Sequence, residues 1–136
     1  MTDMMQALFP YAQSTGDLTV RVAVTYQSDT SDPDGNRWFW VYHIRIENGG
    51  DVDVQLLTRR WEIVDGRGMT QVVEGSSVVG EQPVIAPGAS YDYVSGCPLA
   101  TPSGRMVGSY GMIDVTGRLF DIAIPAFPLL GAAVTR

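Results

Sequence analysis

Apolar and polar residues alternate along several stretches of this chain with a period of two, the spacing that sends successive side chains to opposite faces of a β-strand. From Leu18 to Tyr26, the residues Leu18, Val20, Val22, Val24 and Tyr26 share one face and Thr19, Arg21, Ala23 and Thr25 the other, which predicts a half-buried strand. Asp29 to Asn36 concentrates Asp, Ser, Pro, Gly and Asn, residues that favour turns, and reads as a loop. The alternation resumes at Trp38 and runs to Glu47, with Trp38, Trp40, Tyr42, Ile44 and Ile46 as the expected core face. Asn48-Gly49-Gly50-Asp51 signals a turn, Asp53 to Asp65 the next strand, and Met69 to Val73 a short one. Gly75 to Gly88 contains Pro83 and reads as a loop, and Tyr91 to Val94 as a strand. Arg105 to Asp114 and Leu119 to Ala126 form an expected hairpin about Val115-Thr116-Gly117, and Pro125 and Pro128 are expected to end the sheet.

Short strands separated by turn signals, with no amphipathic helical window longer than about two turns, predict an all-β chain. The expected architecture is an immunoglobulin-like or fibronectin type III-like β-sandwich of about seven antiparallel strands. A partly open barrel produces the same periodicities, because alternation reports half-burial and not how the sheets close. Residues 1–15 read as a partly ordered N-terminal segment, residues 16–130 as a single domain and residues 131–136 as a C-terminal tail. The chain has no internal repeat and no low-complexity tract.

Composition narrows the function classes. With 45% hydrophobic and 18% charged residues in 136, the chain has the balance of a packed globular domain. The net charge of −6 comes from scattered acidic residues, which serves solubility and argues against a nucleic-acid groove. Every basic residue is arginine, which excludes a Schiff-base amine and a phosphate-loop lysine. The single cysteine, Cys97, leaves no intrachain disulfide and suits a reducing compartment, so a cytoplasmic location is expected. Met1 to Phe9 has no basic n-region, and its apolar run is too short for a signal peptide or a membrane span, so no membrane association is expected.

Val79-Gly80-Glu81-Gln82-Pro83, followed by Pro87-Gly88, Tyr93, Ser95-Gly96, Thr101-Pro102-Ser103-Gly104 and Met106-Val107-Gly108-Ser109-Tyr110, strongly resembles the ApaG family. Tyr26, Trp40 to Asn48, Leu56-Leu57-Thr58-Arg59-Arg60-Trp61 and the closing Phe120 to Leu129 are similar to that family too, so the likeness covers nearly the whole chain. The resemblance implies a fibronectin type III-like sandwich without an assigned molecular activity. It also implies an association of bacterial members with cobalt resistance and magnesium transport. Because the same domain occurs in eukaryotic F-box proteins and in a polymerase delta-interacting protein, the resemblance implies a portable recognition module.

Several clusters are candidates for chemistry. Many family members carry Gly-x-Gly-x-x-Gly before the Gly-Glu-Gln-Pro run, where this chain has Gly75-Ser76-Ser77-Val78-Val79-Gly80. Ser77 replaces the central glycine and Pro83 follows where a helix would have to run, which excludes a dinucleotide fold. Gly75, Ser76, Ser77 and Gly80 remain a candidate phosphate loop, with amides and hydroxyls holding an anion near an arginine. Asp29, Asp32 and Asp34 beside Gly35 and Asn36 resemble half of a calcium loop, but Val41 stands where the bidentate glutamate belongs. His43 and Cys97 are the only imidazole and thiol, too few for a tight transition-metal site.

A Cys97, His43 and aspartate triad can be written down, although Cys97 in Gly-Cys-Pro-Leu reads as a small apolar filler and His43 as a sheet-face residue. No catalytic residue and no cofactor is therefore assigned. Trp61 is expected in the core, on the same side as Arg59, leaving Arg60 to face solvent. Arg60 and Trp38 become the candidate interaction surface. The expected function is a non-enzymatic module engaging a protein partner, with homodimerisation across an open strand edge a further expectation. A sensor of a phosphorylated nucleotide or a divalent cation is the alternative.

Overall fold

A computed structural model describes residues 2–131; residues 132–136, most of the expected C-terminal tail, lie outside the described residues. The chain opens with a helix, α1 (Thr2–Leu8), and continues through β1 (Tyr11–Thr15), β2 (Leu18–Tyr26), a 3₁₀ turn (Pro33–Gly35), β3 (Trp38–Asn48) and β4 (Val54–Asp65). β5 (Thr70–Gly75), β6 (Val84–Ile85), β7 (Ser90–Leu99), β8 (Ser103–Asp114) and β9 (Leu119–Leu130) complete it. All pairings are antiparallel: one sheet has the order β1-β2-β3-β7 and the other β5-β4-β8-β9, with β6 paired to the start of β4. The all-β sandwich expected from the sequence is thus the observed architecture.

The additional strands are short, and β1 extends the sandwich into the stretch assigned above to an N-terminal segment. Tyr11–Thr15 shows no strict alternation of burial, and its register, from Tyr11↔Val22 to Thr15↔Leu18, comes from pairing with β2 across the turn at Gly16-Asp17. The second correction concerns Pro125 and Pro128, which lie inside β9 and do not end the sheet. The ladder steps from Met106↔Phe127 to Gly108↔Ile124, so Pro125 and Ala126 together oppose Val107 in a β-bulge, where a missing N–H costs no ladder bond. Pro128 is tolerated because β9 is an end strand of its sheet.

The predicted apolar faces meet between the sheets. Val20, Val22, Ile44 and Ile46 are fully buried from one sheet, and Leu56, Tyr110, Met112, Ile122 and Ile124 from the other. At the centre, Trp61 stands edge-on to Tyr42 (ring centroids 5.3 Å) and to Phe127 (6.0 Å), geometry that adds to the burial of their large areas. Trp38, placed with the core face by its period, is half-buried and packs against the core from one end. Asn48 is the buried polar residue at the other end. Its amide donates to the carbonyls of Val52 and Ile85, and its oxygen accepts from Gly50 N–H, which ties the β3–β4 turn to β6.

The two sides of the sandwich differ. On one side β9 packs against β1 and β2, with Ala123 N–H donating to Thr15 Oγ1 (3.1 Å) and Trp40 Nε1 to the Leu130 carbonyl (3.0 Å). On the other side β5 and β7 are the end strands of their sheets and do not pair with each other. This leaves an open seam.

Candidate functional site

The seam contains a cavity of about 250 Å³ between the two sheets, with Gln71 and Val73 of β5 on one wall and Ser95 to Pro98 of β7 on the other. Its floor is formed by Tyr42, Arg59, Ile63 and Met106. Arg59 reaches it because the period of two in β4 resumes after the bulge at Leu57, putting Arg59 on the inward side with Trp61 and Arg60 outside. Arg60 is accordingly exposed and pairs with Glu62 (2.7 Å) and Glu74 (3.2 Å).

Arg59 lies beside a group of buried phenols. The Tyr93 and Tyr110 hydroxyls, from opposite sheets, hydrogen-bond to each other in the core. Burial pushes the pKa values of Tyr42, Tyr93 and Tyr110 upward, and the Arg59 charge pulls against that shift in all three. Cys97 is 3% exposed, and burial pushes its thiol up to about 11, so at neutral pH it is a protonated filler and a poor nucleophile.

The segment that leads from β5 to β6 was the phosphate-loop candidate. Gly75 pairs with Arg59 across β4 and β5, and a Cβ there would come within 2.7 Å of Arg59 Cζ, so this glycine makes room for the guanidinium. Arg59 Nη1 donates to the Ser77 carbonyl, and Gln82 Nε2 donates to the carbonyls of Ser76 (2.6 Å) and Leu57 (2.9 Å). Val78 and Glu81 exchange backbone hydrogen bonds across Val79 (φ 41°) and Gly80 (φ 82°), the dihedral signature of a two-residue type I′ turn. Val78 itself is fully buried and anchors the loop to the core. The loop thus offers a carbonyl, not an amide, to the nearby cation, the reverse of what an anion cradle requires.

The remaining candidates are separate. Asp29, Asp32 and Asp34 are exposed, and among the described residues no group of three or more His, Cys, Asp or Glu side chains is placed to hold a metal ion. Asp32 has a local task, accepting from Gly35 N–H to cap the 3₁₀ turn. His43 points to the outer face of its sheet, where Nε2 lies 2.7 Å from Asp92 Oδ2 and the ring meets Phe9 edge-on at 4.9 Å. Arg45 links Asp92 (3.2 Å) to Glu47 (2.9 Å), and Arg21 joins Glu47 (3.0 Å), making a surface charge network. Cys97 faces the core, so the structure places the two members of the conceivable triad on opposite faces. Sequence reading put Arg59 on the Trp61 side through its period, but did not single it out; nothing local marks Tyr42, Gln71 and Ser95 as its neighbours.

A sequence model described as the ApaG domain matches residues 28–114 of this chain. A protein named ApaG from Paramagnetospirillum magneticum is 54% identical over 119 residues, spanning 88% of this chain and 92% of its own length. A protein of the same name from Rhodospirillum centenum is 50% identical over the same shares. Among solved structures, a Bordetella pertussis protein described as ApaA is 41% identical, with a TM-score of 0.83 over 85% of this chain and 94% of that one. The C-terminal domain of wzt, 12% identical with a TM-score of 0.57 over 96% of this chain and 85% of its own, shares the fold alone.

Proposed function

Since this chain belongs to the ApaG domain family, we propose that it is a non-enzymatic module that binds a partner protein along the seam between β5 and β7. The observation that carries this reading is the pair of unpaired strand edges facing one open cavity, while β9 on the other side is packed against β1 and β2. An end strand offers a row of backbone donors and acceptors to an added strand, and a side-chain pocket beside it supplies selectivity. The exposed Val72 on β5 and Val94 on β7 add apolar surface beside the edges. Trp38 and Arg60 are less suited to lead the contact, because one packs on the core and the other is engaged by two carboxylates.

Turnover is not part of this proposal: Cys97 is buried and protonated, and His43 lies on the opposite face of the sheet. The link to cobalt and magnesium handling implied by the family would then run through the partner. No helix among the described residues is long and apolar enough to cross a membrane, and a cytoplasmic location belongs to the same proposal, resting on the single cysteine.

Photo-cross-linking from benzoylphenylalanine placed at Val72, Val94 or Val115 in living cells tests the assignment. Adducts are expected from Val72 and Val94 and not from Val115, which is more exposed than either but lies in the β8–β9 turn. An adduct of twice the chain mass would identify a second copy as the partner. Equal labelling from Val115 would contradict the seam. In parallel, titration with diadenosine tetraphosphate and ATP, with and without magnesium, is expected to leave the Gly75 to Gly80 amides unmoved, and saturating shifts there would favour a nucleotide sensor instead.

A further inference from the structure

We propose that the seam cavity is a carboxylate-binding site, which takes one carboxylate carried on a short apolar stem, with Arg59 as the anion-binding residue. The chain has 15 acidic residues against 9 basic ones, yet no Asp or Glu lines this cavity. Arg21, Arg45, Arg60 and Arg118 each have a carboxylate within salt-bridge distance, whereas the half-buried Arg59 has none among the described residues. A partly desolvated guanidinium without a counter-charge is costly, and its recorded hydrogen bond, from Nη1 to the Ser77 carbonyl, leaves most of its planar five-donor fork unused. That fork matches a carboxylate in two-point contact.

The rest of the lining fits the same ligand. The Tyr42 and Ser95 hydroxyls, hydrogen-bonded to each other, and the Gln71 amide add polar groups, while Val73 and Met106 offer apolar walls to a stem. About 250 Å³ equals the liquid volume of roughly eight waters, the size of a four- to six-carbon acid. A single arginine balances one negative charge, which favours a monoanion over a phosphate. The occupant can be a free short-chain acid or the C-terminal carboxylate of a polypeptide lying along β5 or β7. The second source rests on the partner-binding reading and the first does not.

The test is an amide-detected NMR titration of the labelled protein with sodium hexanoate, hexanamide, inorganic phosphate, and a tetrapeptide ending in leucine in free and amidated forms. Hexanoate or the free-acid peptide is expected to give saturating shifts at Val73, Ser95 and Gly96, with the amide forms at least about tenfold weaker, the worth of a charged hydrogen bond. Preference for the free-acid peptide identifies a chain terminus as the source, and binding of hexanoate alone identifies a small acid. Arg59→Gln should abolish the shifts. Because that change also frees the Ser77 carbonyl, Ser95→Leu provides a second variant, filling the cavity while leaving the Arg59 contact, and should abolish binding with a cooperative thermal melt retained. Equal binding of acid and amide, stronger binding of phosphate, unchanged titration of Ser95→Leu, or silence toward every carboxylate would overturn the proposal. Cross-linking from Val72 and Val94 can succeed whether or not this titration does, so the two failures are distinguishable.

Discussion

Removing the hydroxyl pair at the centre of the core separates the cost of an unpartnered polar group from the worth of its hydrogen bond. Tyr93 is 7% exposed and Tyr110 is fully buried, and their hydroxyls are each other's hydrogen-bond partners across the two sheets. Tyr93→Phe keeps the ring packing, centroids 6.5 Å from Tyr110, but leaves the buried Tyr110 oxygen without its hydrogen-bond partner. Each single substitution should therefore cost about 1–3 kcal/mol, the desolvation penalty of an orphaned hydroxyl. The double variant removes both polar atoms and should fall within about 1 kcal/mol of the parent. Urea unfolding is the assay: with a slope of about 1–3 kcal/mol per molar, each single variant should shift the midpoint down by about 1 M and the double variant should return most of it. A double variant that loses the sum of the two single costs would refute the reasoning, because it would show that neither hydroxyl depends on the other.

Other consequences follow from the same contacts. Gly75→Ala places a methyl 2.7 Å from Arg59 Cζ and 2.8 Å from Nη2, so the guanidinium must leave the Ser77 carbonyl; a loss of about 1.5–3 kcal/mol and of carboxylate-induced NMR shifts is expected, checked by denaturation and titration. Folding raises the Cys97 thiol from 9.0 to about 11, so its contribution to stability is complete below pH 9 and is lost as pH rises through 11. Denaturation at a series of alkaline pH values should show this fall, and Cys97→Ala should flatten its first part, with the buried tyrosines extending the decline at higher pH. Phe9→Ala removes the ring that rests on His43, and should speed hydrogen exchange in the α1 amides while leaving the β2 and β3 amides protected.

Much of the sandwich was legible in the chain because half-buried strands announce themselves by alternation. β2 and the core face of β3 fall where the period of two places them, from Leu18 to Tyr26 and from Trp40 to Ile46. β1 and β6 carried no such signal: they are edge pieces held by partners, Tyr11–Thr15 by β2 and Val84–Ile85 by Val54 and Gln55. The prolines of β9 misled because their tolerance depends on a bulge opposite Val107, a feature of the pairing and not of the local sequence. At the site, the pattern did assign Arg59 inward and Arg60 outward, since that needs only strand periodicity. The role of Gly75 was not legible, because the glycine serves an arginine 16 positions earlier that only the β4–β5 register brings opposite it. The cavity is likewise a product of topology, which leaves β5 and β7 as neighbouring free edges although 14 residues separate them.

Amide hydrogen exchange, read by mass spectrometry in the free protein and in the complex purified from its own cells, tests the seam most directly. The account predicts that Thr70–Gly75 or Ser90–Leu99 gains protection in the complex, while Tyr11–Thr15 and the turn at Val115–Gly117 exchange as in the free protein. Protection confined to those two control segments, with both seam strands unchanged, would contradict it.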